Sequence, residues 1–596
     1  MTRSAPPLSP LSLRVLLGRI AHEWQTRQRI FDLPANKFHD TSAGPDLTVR
    51  FLGRPAATPV GPASGPHTQL AENIVLAWLA GARIVELKTV QVLDELDISR
   101  PCIDMEAVGY NVEWSQELRI DQSLEEYVKA AMIIEMLRGW DELRPHLGRD
   151  PGAHIFDLSV GYDLGGISSA PMAAYIEGVM DASPTVERLR GEIPEPFAAW
   201  RDRPFATRLA GSVTLSTFHG CPPDEIGAIT KHLMTRHGLD VVVKLNPTLL
   251  GHDRVAGILH EELGFADVRL SRAAFEADLQ FPRALTLIDE LDTFARDHGR
   301  RFGIKLTNTL VVENHRGVLP DDPMYLSGPP LHVISTTLLG ELHAALPGRL
   351  SVAGQEGTIE VSFSAGLTKG NLPAMAGLGV APMTVCSDLL HPGGYGRLRA
   401  MLVALGAAMT AAGCPDLAAW RAHGRQAAAD AGQTDAVTAY VAELHDPARN
   451  RDYADAGARP IRRVDHVLEA WGCVACNLCV TVCPNDAFFR APTPPGLDIP
   501  GDDQYLVLAE LCNECGNCQV FCPETGDPAK VKPALFLDPD RFALGDRPGF
   551  LLTRDDAKIS VTASPGLEAG VAPLHTVLNA PEGLPIDPFD LAIVGR

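Results

Sequence analysis

One cysteine pattern is written twice in this chain: Cys473, Cys476, Cys479 and Cys483 followed by Pro484, then Cys512, Cys515, Cys518 and Cys522 followed by Pro523. Each is a C-x2-C-x2-C-x3-C-P run, in which the short spacing lets three thiolates wrap one iron-sulfur cluster from a single turn-rich loop. Zinc sites also use C-x2-C pairs. Zinc, however, closes with four ligands and gives no reason for a repeated run of four cysteines ending in proline. A chain built this way moves electrons one at a time.

The repeated run resembles that of bacterial-type ferredoxins with two [4Fe-4S] clusters, in which the fourth cysteine of each run crosses to the other cluster. The resemblance assigns Cys473, Cys476, Cys479 and Cys522 to one cluster, and Cys512, Cys515, Cys518 and Cys483 to the other. Of the 12 cysteines, only Cys102, Cys221, Cys386 and Cys414 remain. Their scatter argues against a disulfide framework, and a reducing cytoplasm is the expected setting.

The length of 596 residues allows several domains, and the formal charge of −22 repels phosphate backbones and anionic lipid. Nucleic acid and membrane surfaces are therefore not expected partners. Met1 to Pro10 lacks the continuous apolar stretch of a secretory signal. The longest apolar run, Met401 to Cys414, is too short to span a bilayer and reads as a buried helix.

Between residues 58 and 415, short β-rich runs alternate with amphipathic helical stretches, the pattern of βα units around a parallel sheet. Strands are expected at 58–60, 82–87, 154–160, 212–216, 240–245, 302–306, 359–363 and 383–386. Eight such strands make the fold class α/β, a (β/α)8 TIM barrel. The first helix shows the signal: Leu70, Ile74, Ala77 and Trp78 recur at helical spacing and Gly81 follows as a C-cap. The chain then divides into an N-terminal extension (1–57), the barrel (58–415), a helical connector (416–465), a ferredoxin-like domain (466–535) and a C-terminal tail (536–596). Phe488, Phe489 and Tyr505 are expected to pack around the clusters.

Polar or small residues stand where most of these strands end, the rim that carries the active site in this architecture. Ser64 and Gly65 follow the first strand, and Lys88 and Thr89 end the second. Thr214 and Ser216 belong to the fourth, Lys244 and Asn246 to the fifth, and Thr307 and Asn308 to the sixth. After the seventh come Ser364, Ala365 and Gly366, and at the eighth Cys386, Ser387 and Asp388. Small residues after strands seven and eight suit a phosphate, because backbone N–H groups must approach it closely. A rim lysine suits charge that develops on a reduced cofactor ring. A lone strand-end lysine is also a common surface salt-bridge partner; recurrence around one rim favours the functional reading.

These stretches resemble the flavin barrel of dihydroorotate and dihydropyrimidine dehydrogenases. The likeness is greater to the dihydropyrimidine type, which joins an FMN barrel to a two-cluster ferredoxin domain in the same order, and nearer still to the bacterial group labelled selenate reductase subunits. It is carried by Thr58-Pro-Val-Gly-Pro-Ala-Ser-Gly65, Glu86-Leu-Lys-Thr89, Tyr110-Asn-Val-Glu113, Thr214-Leu-Ser216, Val243-Lys-Leu-Asn-Pro247, Leu306-Thr-Asn-Thr309, Ser364-Ala-Gly366 and Val385-Cys-Ser387. The resemblance implies that Ala63 and Ser64 contact FMN and that Lys88 meets the pyrimidine edge of its ring. Asn111 and Thr214 would face flavin or substrate, Lys244 would lie near the reduced ring, and Asn308 would meet substrate. Ser364, Ala365, Gly366, Cys386 and Ser387 would hold the phosphate.

The loop Thr214-Leu-Ser-Thr-Phe-His-Gly-Cys-Pro222 departs from the family's Asn-Leu-Ser-Cys-Pro-His-Gly: the family's acid cysteine is Thr217 here, and Cys221 follows four residues later. Cys221 or His219 is then the candidate proton donor. The alternative is a small buried hydrophobe for Cys221 and a loop hydrogen-bonder for His219. No G-x-G-x-x-G stands between a strand and a helix, so electrons are expected from a separate NAD(P)H- or FAD-dependent flavoprotein subunit or a ferredoxin. The expected function is an FMN- and iron-sulfur-dependent oxidoreductase acting on a small pyrimidine- or purine-like substrate, possible also as an oligomer. The competing expectation is an electron-transfer subunit of a larger reductase with no substrate site of its own.

Overall fold

Runs such as Asp240–Leu245 carry consecutive β-branched residues without alternation, as strands buried on both faces require. The computed structural model describes residues 8–148, 150–216, 219–456, 461–555 and 558–579. Its central sheet has eight strands: β1 (Val60–Pro62), β2 (Ile84–Glu86), β3 (Ile155–Val160), β4 (Ala210–Ser216), β5 (Asp240–Leu245), β6 (Phe302–Leu306), β7 (Ile359–Phe363) and β8 (Met383–Val385). Seven fall where the sequence pattern predicts them, and β1 lies two residues later than the expected 58–60, sharing only Val60 with it. The strands pair in parallel from β2 through β3 to β8 and on to β1. The ring closes where the Arg83 N–H donates to the Val60 carbonyl at 3.0 Å. Gly61 makes this approach possible: a Cβ there would lie 1.6 Å from the Ile84 carbonyl oxygen.

The expected first helix runs over Ala71–Leu79 with every residue buried, and Gly81 follows at φ +109°. A four-stranded antiparallel sheet of Ile103–Asp104, Tyr110–Asn111, Leu310–Val312 and Met324–Leu326 lies at the end of the barrel where the strands terminate. The helices Leu417–Asp430 and Ala436–Leu444 pack on the barrel helices Leu372–Leu378 and Pro329–Ala345. The ferredoxin-like part is built on a five-stranded sheet of Phe488–Pro492, Asp503–Leu508, Ala534–Phe536, Phe550–Asp555 and Lys558–Ala563. The sheet runs past residue 535, because two strands of the C-terminal segment continue it. Phe488, Phe489 and Tyr505 are buried in its core. Among the described residues, no helix is long and apolar enough to cross a membrane.

The N-terminal helix Leu13–Arg27 lies between the two parts. Its Trp24 indole N–H donates to Glu142 on the barrel side at 2.8 Å, and the backbone carbonyl of Leu11 accepts from Lys129 at 2.8 Å. On the other side the buried Arg19 guanidinium donates to Glu23 at 2.6 Å and to Asp486 of the ferredoxin-like part at 2.5 Å. Removing one partner of a buried ion pair strands the other charge out of water, at about 3–5 kcal/mol. Arg19→Met is therefore expected to lower unfolding stability by that amount in a denaturant titration, and Arg19→Met combined with Asp486→Asn to recover part of it.

Candidate active site

The carboxyl-terminal ends of the strands open into a cavity of about 780 Å³, within the roughly 300–1,000 Å³ of small-molecule sites. Of the residues singled out from sequence, Ala63, Ser64, Lys88, Asn111, His219, Lys244, Asn308, Ser364, Gly366, Cys386 and Ser387 line it. Thr214, Ala365 and Cys221 do not. The Thr214 hydroxyl points below the cavity and donates to Asp157 at 2.6 Å. Ala365 is buried, and its carbonyl accepts from His332 Nδ1 at 2.9 Å. Burial drives the His332 imidazole down to about 4, so the ring is neutral and its Nε2 is the acceptor for the Tyr440 hydroxyl at 2.9 Å.

Cys221 lies behind the barrel wall with Ile226, Val243, Leu245 and Leu279. Burial first, then the carboxylates of Glu225, Asp278 and Asp163, push its thiol up to about 12, far from what a proton donor near neutral pH requires. Thr217 lies outside the described residues. His219 reaches the cavity instead. Its Nδ1 is 2.8 Å from Asp278 Oδ2, and its ring stacks on Tyr325 with centroids 6.3 Å apart. Asp278 also accepts from Thr248 at 2.7 Å and Asn246 at 3.1 Å, and Asn246 accepts from the Asn308 amide at 2.7 Å. Burial raises the Asp278 carboxyl, but the bonds from His219 and Thr248 outweigh it and hold the group below its ordinary range.

Two further walls fit a phosphorylated planar ligand. At one end Gly366 has φ +53°, and a Cβ there would lie 2.4 Å from the Gly328 carbonyl oxygen. Gly328 caps the 17-residue helix Pro329–Ala345, whose first turn lines the cavity beside Ser364 and Ser387. The Ser387 hydroxyl donates to Ser327 at 2.8 Å. Lys88, after β2, forms a buried ion pair with Glu113. Sequence reasoning did not single out Glu113, although it ends the stretch Tyr110-Asn-Val-Glu113. A lysine buried at a rim needs a counter-charge, and that requirement was the available signal.

The cavity floor is charged. Glu86 of β2 reaches across the barrel to Lys305 of β6, with Lys244 of β5 at 3.7 Å. Its carboxylate also accepts from the Ser64 N–H at 3.2 Å. Burial raises the Glu86 carboxyl, but Lys305 and then Lys244 reverse the effect and hold it below its ordinary range. Beneath it, Asp157 of β3 accepts from Ser212 and Thr214. Burial is the main cause that lifts Asp157 to about 6.

In the ferredoxin-like part the cysteines' charged neighbours divide between Cys479 with Cys473, Cys476 and Cys522, and Cys518 with Cys483, Cys512 and Cys515. Burial, then the neighbouring Cys476, Cys473 and Cys522, push the Cys479 thiol up. Cys518 is raised by burial and has Cys515, Cys512 and Cys483 among its charged neighbours. Among the described residues no three His, Cys, Asp or Glu side chains converge on a position for a single metal ion. A four-iron cube holds its thiolates further apart than one zinc ion does. Cys512, Cys515, Cys518 and Cys522 are buried, whereas Cys476 is exposed. The Cys515 carbonyl accepts from the Cys102 and Ile103 N–H groups at 3.2 and 3.1 Å. Asn517 donates to the Leu390 carbonyl at 2.9 Å, and Phe521 meets His391 edge-on at 5.7 Å. Leu390 and His391 line the cavity.

These parts define the class as a TIM barrel with a rim cavity, abutted by a ferredoxin-like domain. The chain belongs to the family described as oxidoreductase YgfK, N-terminal TIM-barrel domain, whose model matches residues 31–439. Over 415 residues it is 39% identical to proteins named as the oxidoreductase YgfK in Escherichia coli K12 and O157:H7, covering 66% of this chain and 39% of each relative. The chain thus spans well under half the length of these curated relatives. A further stretch of 92 residues, 15% of the chain, is 32% identical to a ferredoxin-like protein of Sinorhizobium fredii and covers 82% of it. A crystal structure of DHODH in complex with ferulenol from Eimeria tenella aligns at 15% identity and a TM-score of 0.40, over 67% of this chain and 93% of that one.

The raised Asp157 pKa makes a stability prediction. The folded state holds this proton more tightly than the unfolded chain, so the contribution is present below about pH 4 and is lost as pH rises through about 6. Above that the buried charge costs up to about 3 kcal/mol. Asp157→Asn is expected to raise the melting temperature relative to the parent at pH 8, with the advantage shrinking at pH 5.

Proposed function

We propose that the chain is an iron-sulfur flavoprotein oxidoreductase with two [4Fe-4S] clusters and FMN, acting on a small pyrimidine- or purine-like substrate. A separate NAD(P)H- or FAD-dependent flavoprotein, or a ferredoxin, would deliver electrons to the outer quartet, where Cys476 is exposed. The observation that carries this reading is the contact between the inner cysteine quartet and the cavity wall through Asn517–Leu390 and Phe521–His391. Buried thiolates beside an open cavity put a one-electron carrier next to a site large enough for cofactor and substrate together.

FMN, when bound, supplies the exchange between single electrons and a hydride. The chain's own residues do the rest. Ser364, Gly366 and Ser387, with the first turn of the helix Pro329–Ala345, would hold the phosphate. Lys88, fixed by Glu113, and Lys244 would lie along the ring and favour its anionic reduced form. Asn111 and Asn308 offer amides that match a heterocyclic amide. His219, whose Nδ1 is held by Asp278, would give a proton from Nε2 to the substrate carbon or nitrogen that becomes basic. An open cavity that presents Lys88, Asn111, His219, Lys244 and Asn308 supports turnover at this site over a relay role. Thiolate ligands suit a reducing cytoplasm. An oxyanion such as selenate is the competing acceptor, and the reoxidation assay below separates the two.

Anaerobic purification is expected to give about one acid-released FMN and about eight iron atoms per chain. Iron without flavin would reduce the chain to an electron carrier. With the reduced holoenzyme, His219→Gln is expected to slow single-turnover reoxidation by an active pyrimidine about 10²-fold or more, leaving flavin reduction unchanged. Cys221→Ala is expected to leave both rates unchanged. Reoxidation by selenate but by no heterocycle would overturn the substrate assignment.

A further inference from the structure

Barrel interiors are ordinarily filled with layers of branched apolar side chains. Here Lys305, 2% exposed and enclosed by the strands, carries an ammonium into that interior. It forms an ion pair with Glu86 and donates to the Thr384 hydroxyl at 2.7 Å. Lys305 does not line the cavity, yet each of its partners leads to it. Thr384 is a wall residue on β8. Glu86 accepts from the N–H of Ser64, a wall residue after β1, and lies 3.7 Å from Lys244, a wall residue on β5. Lys244 and Lys305 are also cross-strand partners in the β5–β6 register. Two ammonium groups therefore stand side by side, and the carboxylate between them limits their repulsion.

Such an arrangement is a poor stability device. A well-packed apolar group in place of a buried ion pair is often neutral or stabilising. The chain nevertheless places two cations and one carboxylate directly beneath the cavity, where a negative charge on a reduced ring would be felt at low dielectric.

We propose that Lys305 and Glu86 are positioning residues that set the charge under the bound flavin ring. Lys305 keeps Glu86 ionised inside the barrel, and Glu86 keeps the Ser64 N–H and the Lys244 ammonium aligned at the cavity floor. The inference rests on the flavin reading given above. It predicts that the preference of the site for reduced over oxidised FMN follows the charge count of this layer.

The test is a reductive titration of the flavin-loaded holoenzyme against a dye of known potential, from pH 5.5 to 8.5. The midpoint of bound relative to free FMN gives the ratio of affinities for the reduced and oxidised forms. The groups facing Glu86 in this range are Lys305, Lys244, Asp157 and Cys386. Lys305→Met is expected to lower the ratio about tenfold, either at every pH or with a step where the unpaired Glu86 takes a proton. Lys305→Met with Glu86→Gln restores the parent's charge count and is expected to bring the ratio back to within about threefold, leaving only the step near pH 6 that Asp157 gives the parent as well. Lys305→Arg keeps the charge and is expected to do the same. If Lys305→Met does not fold, Glu86→Gln carries the test, with a ratio raised at pH 6. A purely structural pair would change melting temperatures and leave the ratio at the parent value in every variant, and that result overturns the inference. Absence of flavin from the parent overturns the functional reading and this inference together, whereas flavin present with unchanged ratios overturns only the inference.

Discussion

The buried seam between the cysteine-bearing loops and the barrel rim is the constraint on which the rest of the molecule depends. Asn517 bridges that seam, donating to the Leu390 carbonyl at 2.9 Å and to the Val482 carbonyl at 2.7 Å. Asn513 donates to Glu117 from the same side, and the Tyr395 hydroxyl donates to the Pro484 carbonyl at 2.8 Å. These bonds are buried, where an unmade partner costs more than a made one contributes. The two parts are therefore held in one relative position, with Asn517 and Phe521 against the cavity wall and Cys476 toward solvent.

The barrel beneath the cavity solves a second problem. Cations held inside a protein need counter-charges. Glu86 serves two lysines, and Glu113 serves Lys88. Asp157 sits one level lower on hydroxyl groups, and burial lifts it to about 6 against the lowering effect of the bonds from Ser212 and Thr214. The polar layer is thus graded, with ion pairs at the floor and a protonatable carboxyl below.

Much of this was legible from residues alone. The paired C-x2-C-x2-C-x3-C-P runs are legible in local spacing, and Cys522 and Cys483 each stand among the charged neighbours of the other run's cysteines, as the ferredoxin resemblance implies. The strands were legible because a strand buried on both faces shows as a continuous apolar run ended by small or polar residues. Eleven of the fourteen barrel residues marked for the site line the cavity. Thr214 and Cys221 fall away because side chains alternate along a strand and a loop chooses its own turn. Neither direction is encoded by composition.

Lys305, Glu86 and Asp278 escaped notice for a different reason. Each acts through a partner far away in the chain: Glu86 and Lys305 are 219 residues apart, and His219 and Asp278 are 59 apart. No local pattern records such a pairing. By itself the sequence determined the repeated cysteine runs and the eight-stranded barrel, because cysteine spacing and strand burial are written in short-range pattern. Only the tertiary structure decided that His219 rather than Cys221 faces the cavity, that the inner quartet abuts its wall, and that a buried ion pair underlies its floor. Those are contacts between distant segments, and they exist only once the barrel has closed.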